Sequence, residues 1–287
     1  MLPIRPKRNR NVEMLTDKIN LTLGDAIVGM EKLPYKSFDL AICDPPYGAA
    51  TEKRWNYDSK KCLPGFGGSW NLNNEAWDLL TKNDNFTSTF VWLKELKRLV
   101  KPTGSIWIHS TYHNSGFVNV CCQLLDLEII NEIVWYKRNA FPNLSGRRLT
   151  ASHETILWVH TGEGKRDYYF NYEAVKKTSF PADKLKEEGK QLRTVWDIPN
   201  NKAKEELAFG NHPTQKPQRL VDRLILISAI RGGSLLVPFS GSGTEIISGL
   251  KYNMHITGFE NNKDYYDLSI KRINKYIKDS TELLIEC

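Results

Sequence analysis

Cysteine is scarce and badly spaced for the jobs it usually does. The chain has five cysteines in 287 residues, at 43, 62, 121, 122 and 287, and no CxxC pair among them. An odd number without paired spacing indicates neither a disulfide framework nor a zinc site. No metal is expected, and a reducing cytoplasm fits. Long apolar runs are missing too, since nothing approaches the roughly 18 consecutive apolar residues that span a bilayer, so no membrane association is expected. The opening stretch MLPIRPKRNRN is basic but has no apolar core of the kind a signal peptide needs. Residues 1–13 therefore read as a basic N-terminal tail, with an auxiliary phosphate contact as the other reading. Two phosphate-binding signatures are also wanting. The glycine turn SGSGT at 240–244 is not followed by a Lys-Ser or Lys-Thr pair, and Ile246 stands where a GxGxxG motif would place its third glycine.

What the chain does have is a sizeable apolar fraction of 40% and a formal charge of +7. The first suffices for a substantial core. The second favours a polyanionic partner, nucleic acid ahead of an acidic small molecule.

Short runs rich in β-branched and aromatic residues occur at 38–43, 105–109, 129–136, 154–160, 234–239 and 255–260. Helical patterns lie at 86–100, 115–125, 217–230, 243–252 and 265–278. Strands alternating with helices predict an α/β fold, a mostly parallel sheet with helices on both faces. Residues 138–211 break this rhythm and read as an insertion on a single catalytic domain spanning 1–287. A Gly- and Trp-containing stretch at 52–71 reads as a mobile flap or a plain surface loop.

Two segments carry the chemistry. In DLAICDPPYGAA (39–50) an apolar strand ends in Asp44, Pro45, Pro46 and Tyr47. In open α/β sheets ligands sit beyond the carboxyl ends of strands. An exocyclic aromatic amine is a poor nucleophile because its lone pair is delocalised into the ring. The Asp44 carboxylate and the Pro45 carbonyl, accepting its two hydrogens, localise that pair and aim it. The prolines stiffen the loop, and the Tyr47 ring offers a stacking face for a flat base. In SLLVPFSGSGTEIISGL (234–250) a strand runs through Gly241, Ser242, Gly243 and Thr244 into a helix, which suits close approach of backbone to a ligand. Glu260 ends the following strand at about the distance where an acid meets a ribose diol. The ligand implied is a nucleoside carrying something other than a phosphate chain.

DPPY at 44–47, PFSGSGT at 238–244 and HPTQKP at 212–217 together resemble the catalytic, S-adenosylmethionine and carboxylate-side motifs of the amino-methylating DNA methyltransferases. Their order, with DPPY first and the glycine motif late, resembles the circularly arranged β group of that family, and the match covers nearly the whole chain. The stretch KRNAFPNLSGRRLTASHETILW (137–158) resembles the segment that opens the target-recognition region of the group. The resemblance implies a Rossmann-like, seven-stranded, mostly parallel sheet, with 138–211 as the inserted target-recognition region. It also implies S-adenosyl-L-methionine as cofactor, base flipping, double-stranded DNA as substrate, and a DNA-associated setting in a bacterial cytoplasm. Members are common in restriction-modification systems, beside a cognate endonuclease and often as homodimers.

By the same resemblance, Asp44 and Pro45 accept the target amine hydrogens within a catalytic loop that includes Pro46, and Tyr47 stacks on the base. Phe239, Ser240, Gly241, Ser242, Gly243 and Thr244 shape the methionine pocket, Glu260 holds the ribose, and Asp25 lies near the adenine of the cofactor. His212, Thr214 and Lys216 lie near its carboxylate. Lys137, Arg138, Arg147 and Arg148 are the DNA-contact candidates. Blander roles stay open: His212 as a turn residue, Lys216 as a surface lysine before a helix, Asp25 as turn chemistry, Phe239 as core. The family usually has an acid before Pro-Phe of the glycine motif, and here that residue is Val237. Asp at 44 favours adenine-N6 methylation over the cytosine-N4 type, which more often shows SPPY. A non-catalytic nucleic-acid-binding protein on the same fold is the reading from another class, and an intact DPPY speaks against it.

Overall fold

The computed structural model describes residues 17–49, 78, 81–143, 147–178, 180–183, 187, 189–200 and 202–285. The basic tail at 1–13 and the expected flap, 52–71, lie outside the described residues. The strands are β1 (Ile19–Leu23), β2 (Phe38–Cys43), β3 (Val100–Ser110), β4 (Glu128–Tyr136), β5 (His153–His160), β6 (Val195–Asp197), β7 (Ser234–Val237) and β8 (His255–Glu260). The helices are α1 (Ala26–Glu31), α2 (Lys82–Leu99), α3 (Ser115–Leu124), α4 (Tyr172–Lys177), α5 (Gln218–Ser228), α6 (Thr244–Lys251) and α7 (Lys263–Ile285).

All eight strands form one sheet in the order β1-β8-β7-β2-β3-β5-β4-β6. Every neighbouring pair is parallel except the two that β5 makes, with β3 and with β4. The sheet thus has eight strands among the described residues, one more than the seven of the family resemblance. Residues at 138–211 also do not all leave the sheet: His153–His160 pairs on both sides inside it, and the three-residue β6 extends its edge alongside β4.

Alternation along the central strands explains why both faces are covered. Leu40 and Ile42 of β2, Trp107 of β3, and Leu235 and Val237 of β7 pack with Leu220 and Leu224 of α5, Ile246 of α6 and Ile273 of α7. Their neighbours Ala41, Cys43, Ile106, Ile108 and Leu236 point the other way, towards Met30 of α1, Leu93 and Leu96 of α2, and Val118 of α3. Because successive strand side chains face opposite sides, a strand buried on both faces must be apolar at every position, as FDLAIC and SLLV nearly are.

The chain leaves β2 through α2 towards β3, and leaves β7 through α6 towards β8, in opposite directions across the sheet. Adjacent β2 and β7, paired at Leu40 with Leu235 and Ala41 with Leu236, therefore flank the topological switch point. That is where an open α/β sheet forms its ligand crevice, and the two motif-bearing loops both start there.

Candidate active site

A cleft of about 640 Å³, counting its space open to solvent, lies at this switch point. The β2 tip contributes Asp44, Pro45 and Pro46, and the segment before α5 contributes His212, Thr214, Gln215 and Lys216. The β7–α6 turn contributes Phe239, Ser240, Gly241, Ser242, Thr244 and Glu245, and the end of β8 with the start of α7 contributes Glu260, Asn261 and Tyr265.

The acidic loop is braced from behind. Asp78 accepts the backbone N–H groups of Tyr47, Gly48 and Ala49 at 2.7, 2.8 and 3.1 Å. Asn85 of α2 donates to the Tyr47 carbonyl at 2.9 Å. In front, the Lys216 ammonium donates to Asp44 Oδ2 at 2.7 Å, to the Tyr47 hydroxyl at 2.8 Å and to the Thr214 carbonyl at 3.1 Å. The Tyr47 hydroxyl in turn donates to Asp44 Oδ1. Burial by itself would raise the Asp44 carboxyl, but the Lys216 charge and these hydrogen bonds overcome it and hold the group below the ordinary carboxylate range. Burial works against the Lys216 ammonium too, and Asp44 with Glu154 reverses that and raises it. The site thus keeps a charged pair in a nearly dry setting. Each carboxylate oxygen accepts about two hydrogen bonds, so Asp44 retains capacity for an incoming amine.

Tyr47 does not sit as expected. Its ring is only 5% exposed and does not wall the cleft. Its hydroxyl, held neutral by burial and by Asp44, is committed to positioning the acid. The ring also has the Lys216 ammonium 5.2 Å from its centre.

The glycine turn is built by left-handed backbone at Gly241 (φ +48°) and Gly243 (φ +78°), which residues with a Cβ rarely adopt. A Cβ at Gly243 would also meet Ser269 Cβ at 3.0 Å. Arg272 of α7 pins the turn, donating to the Ser242 carbonyl at 2.6 Å, Ser242 Oγ at 2.7 Å and Thr244 Oγ1 at 3.1 Å. Glu260 accepts from Gly241 N–H at 2.7 Å and Asn262 N–H at 2.9 Å, so it ties the β8 tip to the same turn. The Ser240 hydroxyl is buried without a hydrogen-bond partner.

Two histidines are kept neutral. Burial pushes both His109, at the end of β3, and His212 down to about 4. Neither ring nitrogen of His109 has a hydrogen-bond partner. The His212 ring packs against Tyr265 with centroids 4.1 Å apart.

Other expected contacts divide. Asp25 is the N-cap of α1, accepting from Val28 N–H at 3.0 Å, and does not wall the cleft, although Gly24 before it bonds the Glu260 carbonyl. The side chain of Lys137, expected on DNA, is only 14% exposed and pairs with Glu154 at 2.8 Å. Arg138 pairs with Asp197 at 2.8 Å on the surface. Arg147 and Arg148 are exposed, and Arg148 donates to the Tyr112 hydroxyl at 2.8 Å.

Sequence reasoning missed Asp78, Asn85, His109, Glu154, Glu245 and Arg272. Of these only Glu245 had a local signal, its position directly after the glycine motif. Arg272 gave none, being 28 residues beyond Thr244 and brought there by the docking of α7. Among the described residues, no three His, Cys, Asp or Glu cluster as a metal site, and no helix is long and apolar enough to cross a membrane.

A doubly wound sheet with an acid-proline loop and a glycine turn lining one switch-point cleft suits a transferase that brings a nucleoside cofactor to an amine. The family model described as DNA methylase matches residues 38–271, and the chain belongs to that family. Two relatives agree. A type II methyltransferase, M2.LlaDCHI, from Lactococcus lactis subsp. cremoris is 32% identical over 257 residues, covering 89% of each chain. Another, M2.DpnII, from Streptococcus pneumoniae is 31% identical over 275 residues, covering 95% of this chain and 94% of the relative. Among solved structures, an M1.HpyAVI–SAM complex superposes with TM-score 0.60 at 23% identity, over 89% of this chain and 99% of its own. The cytosine-N4-specific PvuII DNA methyltransferase superposes with TM-score 0.65 at 14% identity, over 91% and 93%. The likeness to these structures is one of fold.

Proposed function

We propose that this DNA methylase transfers a methyl group from S-adenosylmethionine to the N6 amine of an adenine flipped out of duplex DNA at a specific site. The observation that carries it is the Asp44 carboxylate, held ionised by Lys216 and Tyr47 in the cleft that the glycine turn also lines. The residues present fit the cofactor. Gly241 and Gly243 keep the turn free of side chains, Glu260 stands at the strand tip for a ribose diol, and the buried Ser240 hydroxyl awaits a partner. When bound, S-adenosylmethionine supplies an electrophilic methyl on its sulfonium.

The chain does the rest. Asp44 and the Pro45 carbonyl accept the two amine hydrogens, withdrawing the lone pair from the ring and orienting it. Lys216 fixes the Asp44 rotamer and keeps it charged, and Tyr47 Oη shares that task. Neutral His109 and His212 add no positive charge beside a site that must take in a sulfonium. Extruding a base costs unpairing energy, which contacts to the duplex must offset. The residues of 138–211 outside β5 and β6 supply target recognition in this reading, with Arg138, Arg147 and Arg148 on DNA.

Two relatives carry the name type II methyltransferase, which supports a place beside a cognate restriction endonuclease. Homodimer formation follows from the family resemblance, and sedimentation of the purified chain tests it.

The deciding experiment incubates the protein with genomic DNA and labelled S-adenosylmethionine, digests the product and identifies the nucleoside. N6-methyladenine is expected. N4-methylcytosine would turn the assignment to the cytosine amine, and unlabelled DNA would leave a nucleic-acid-binding protein without catalysis.

A further inference from the structure

We infer that Glu245 is the anionic contact for the α-ammonium of the cofactor's methionine, in place of the acid that the glycine motif lacks at Val237. The inference rests on the cleft being the S-adenosylmethionine site.

Val237 cannot serve a cation. It is fully buried in the core with Leu235 and Ile246. Glu245, the second residue of α6, is 4% exposed and forms part of the cleft wall. Among the described residues, its carboxylate accepts a hydrogen bond only from its own backbone N–H and forms no ion pair. The two cations within its electrostatic reach are engaged elsewhere: Lys216 with Asp44, Arg272 with Ser242 and Thr244. A glutamate in a helix first turn gains less from the helix dipole than it costs to bury an unpaired carboxylate. This one is buried beside a second acid. Burial first, and Asp44 next, push its carboxyl up to about 7. A buried, unpaired acid among like charge weakens the fold, and a ligand cation placed against it removes that cost.

The cofactor brings two cations to the cleft, and they need different things. The sulfonium has no N–H to donate and must present its methyl towards the amine that Asp44 holds. The ammonium has three N–H donors and needs an acceptor of its own. Among the acids in the cleft wall, Asp44 is bound to Lys216 and Tyr47, and Glu260 accepts two backbone amides and is the candidate for the ribose. Glu245 is the acid left over.

Calorimetry with S-adenosylhomocysteine and with its analogue lacking only the α-amine tests this on wild type, Glu245→Gln and Glu245→Asp. Wild type should prefer the amine-bearing ligand by about 10- to 100-fold, the range of a charged hydrogen bond. Glu245→Gln should lose most of that preference while binding the deaminated analogue as wild type does, and Glu245→Asp should recover part of it. Thermal unfolding of each variant checks that the fold is intact. Full preference in Glu245→Gln, or none in wild type, would overturn the assignment. Failure of wild type to bind either ligand would instead remove the cofactor site itself from this cleft.

Discussion

The ammonium of Lys216 stands 2.7 Å from Asp44 Oδ2, joining residues 172 positions apart in the chain in the wall of the switch-point cleft. The lysine side chain is only 2% exposed and the aspartate 15%, so neither charge is well solvated by water. Each keeps the other ionised.

Lys216→Met should therefore destabilise the fold by roughly 3–5 kcal/mol, the usual result of leaving one charge of a buried pair unmatched. Methyl transfer should fall with it, since Asp44 loses both its orientation and its charge. Adding Asp44→Asn to the same chain should restore much of the stability but none of the activity. Urea unfolding of the single and double variants reads this out, and a Lys216→Met protein as stable as wild type would show the pair to be energetically idle.

Arg272→Met should loosen the glycine turn, because three hydrogen bonds to Ser242 and Thr244 disappear together. Hydrogen bonds to a charged donor contribute about 1.5–3 kcal/mol. Affinity for S-adenosylmethionine should drop by about an order of magnitude or more. Titration calorimetry would show it, and wild-type affinity would mean that the turn holds its shape without α7.

Acid should destabilise the protein through two histidines. Burial pushes both His109 and His212 down to about 4 in the folded chain, against about 6.5 for the unfolded one. Between these values the unfolded chain binds protons that the folded chain refuses. The stability they confer is complete above about pH 6.5 and is lost as pH falls towards 4, on the order of 3 kcal/mol for each. Unfolding free energy measured from pH 7.5 to 4.5 should fall less steeply in His109→Gln than in wild type. Equal slopes would mean that His109 titrates normally.

Arg148 and Arg147 distinguish two ways of holding DNA. If Arg148 grips phosphate, Arg148→Ala should weaken binding evenly across sequences and reduce the salt slope by about one. If it reads a base edge, discrimination at one position should fall by about 1–3 kcal/mol. Arg147→Ala is read the same way. Titrations on matched and mismatched duplexes at several salt concentrations separate these outcomes, and no change in either variant would exclude both arginines from the interface.

Much of the scaffold was legible because buried strands and amphipathic helices write their periods into the chain. FDLAIC and HITGFE mark β2 and β8 to the residue, and the helices from 82 onward fall within a few residues of their patterns, apart from α7, which runs on to Ile285, and the short α4. β1 and β6 escaped for the converse reason. INLTL lies on a sheet edge with none of its residues fully buried, and VWD has three residues, too few for any period to show.

Which residues could do chemistry was readable along the chain. DPPY, the glycine turn and HPTQKP are local strings whose backbone conformations and functional groups depend on their neighbours in the chain, and their order alone supports the family. What those groups do to one another follows from how the folded chain brings them together. It spends Lys137 on Glu154, turns the Tyr47 hydroxyl onto Asp44 and uses Asp25 to cap a helix. It also buries Glu245 beside Asp44 and brings Arg272 back to the turn. Ionisation, desolvation and hydrogen-bond pairing are set by distances of a few ångströms in space. Those distances join residues far apart in the chain, and no local pattern records them.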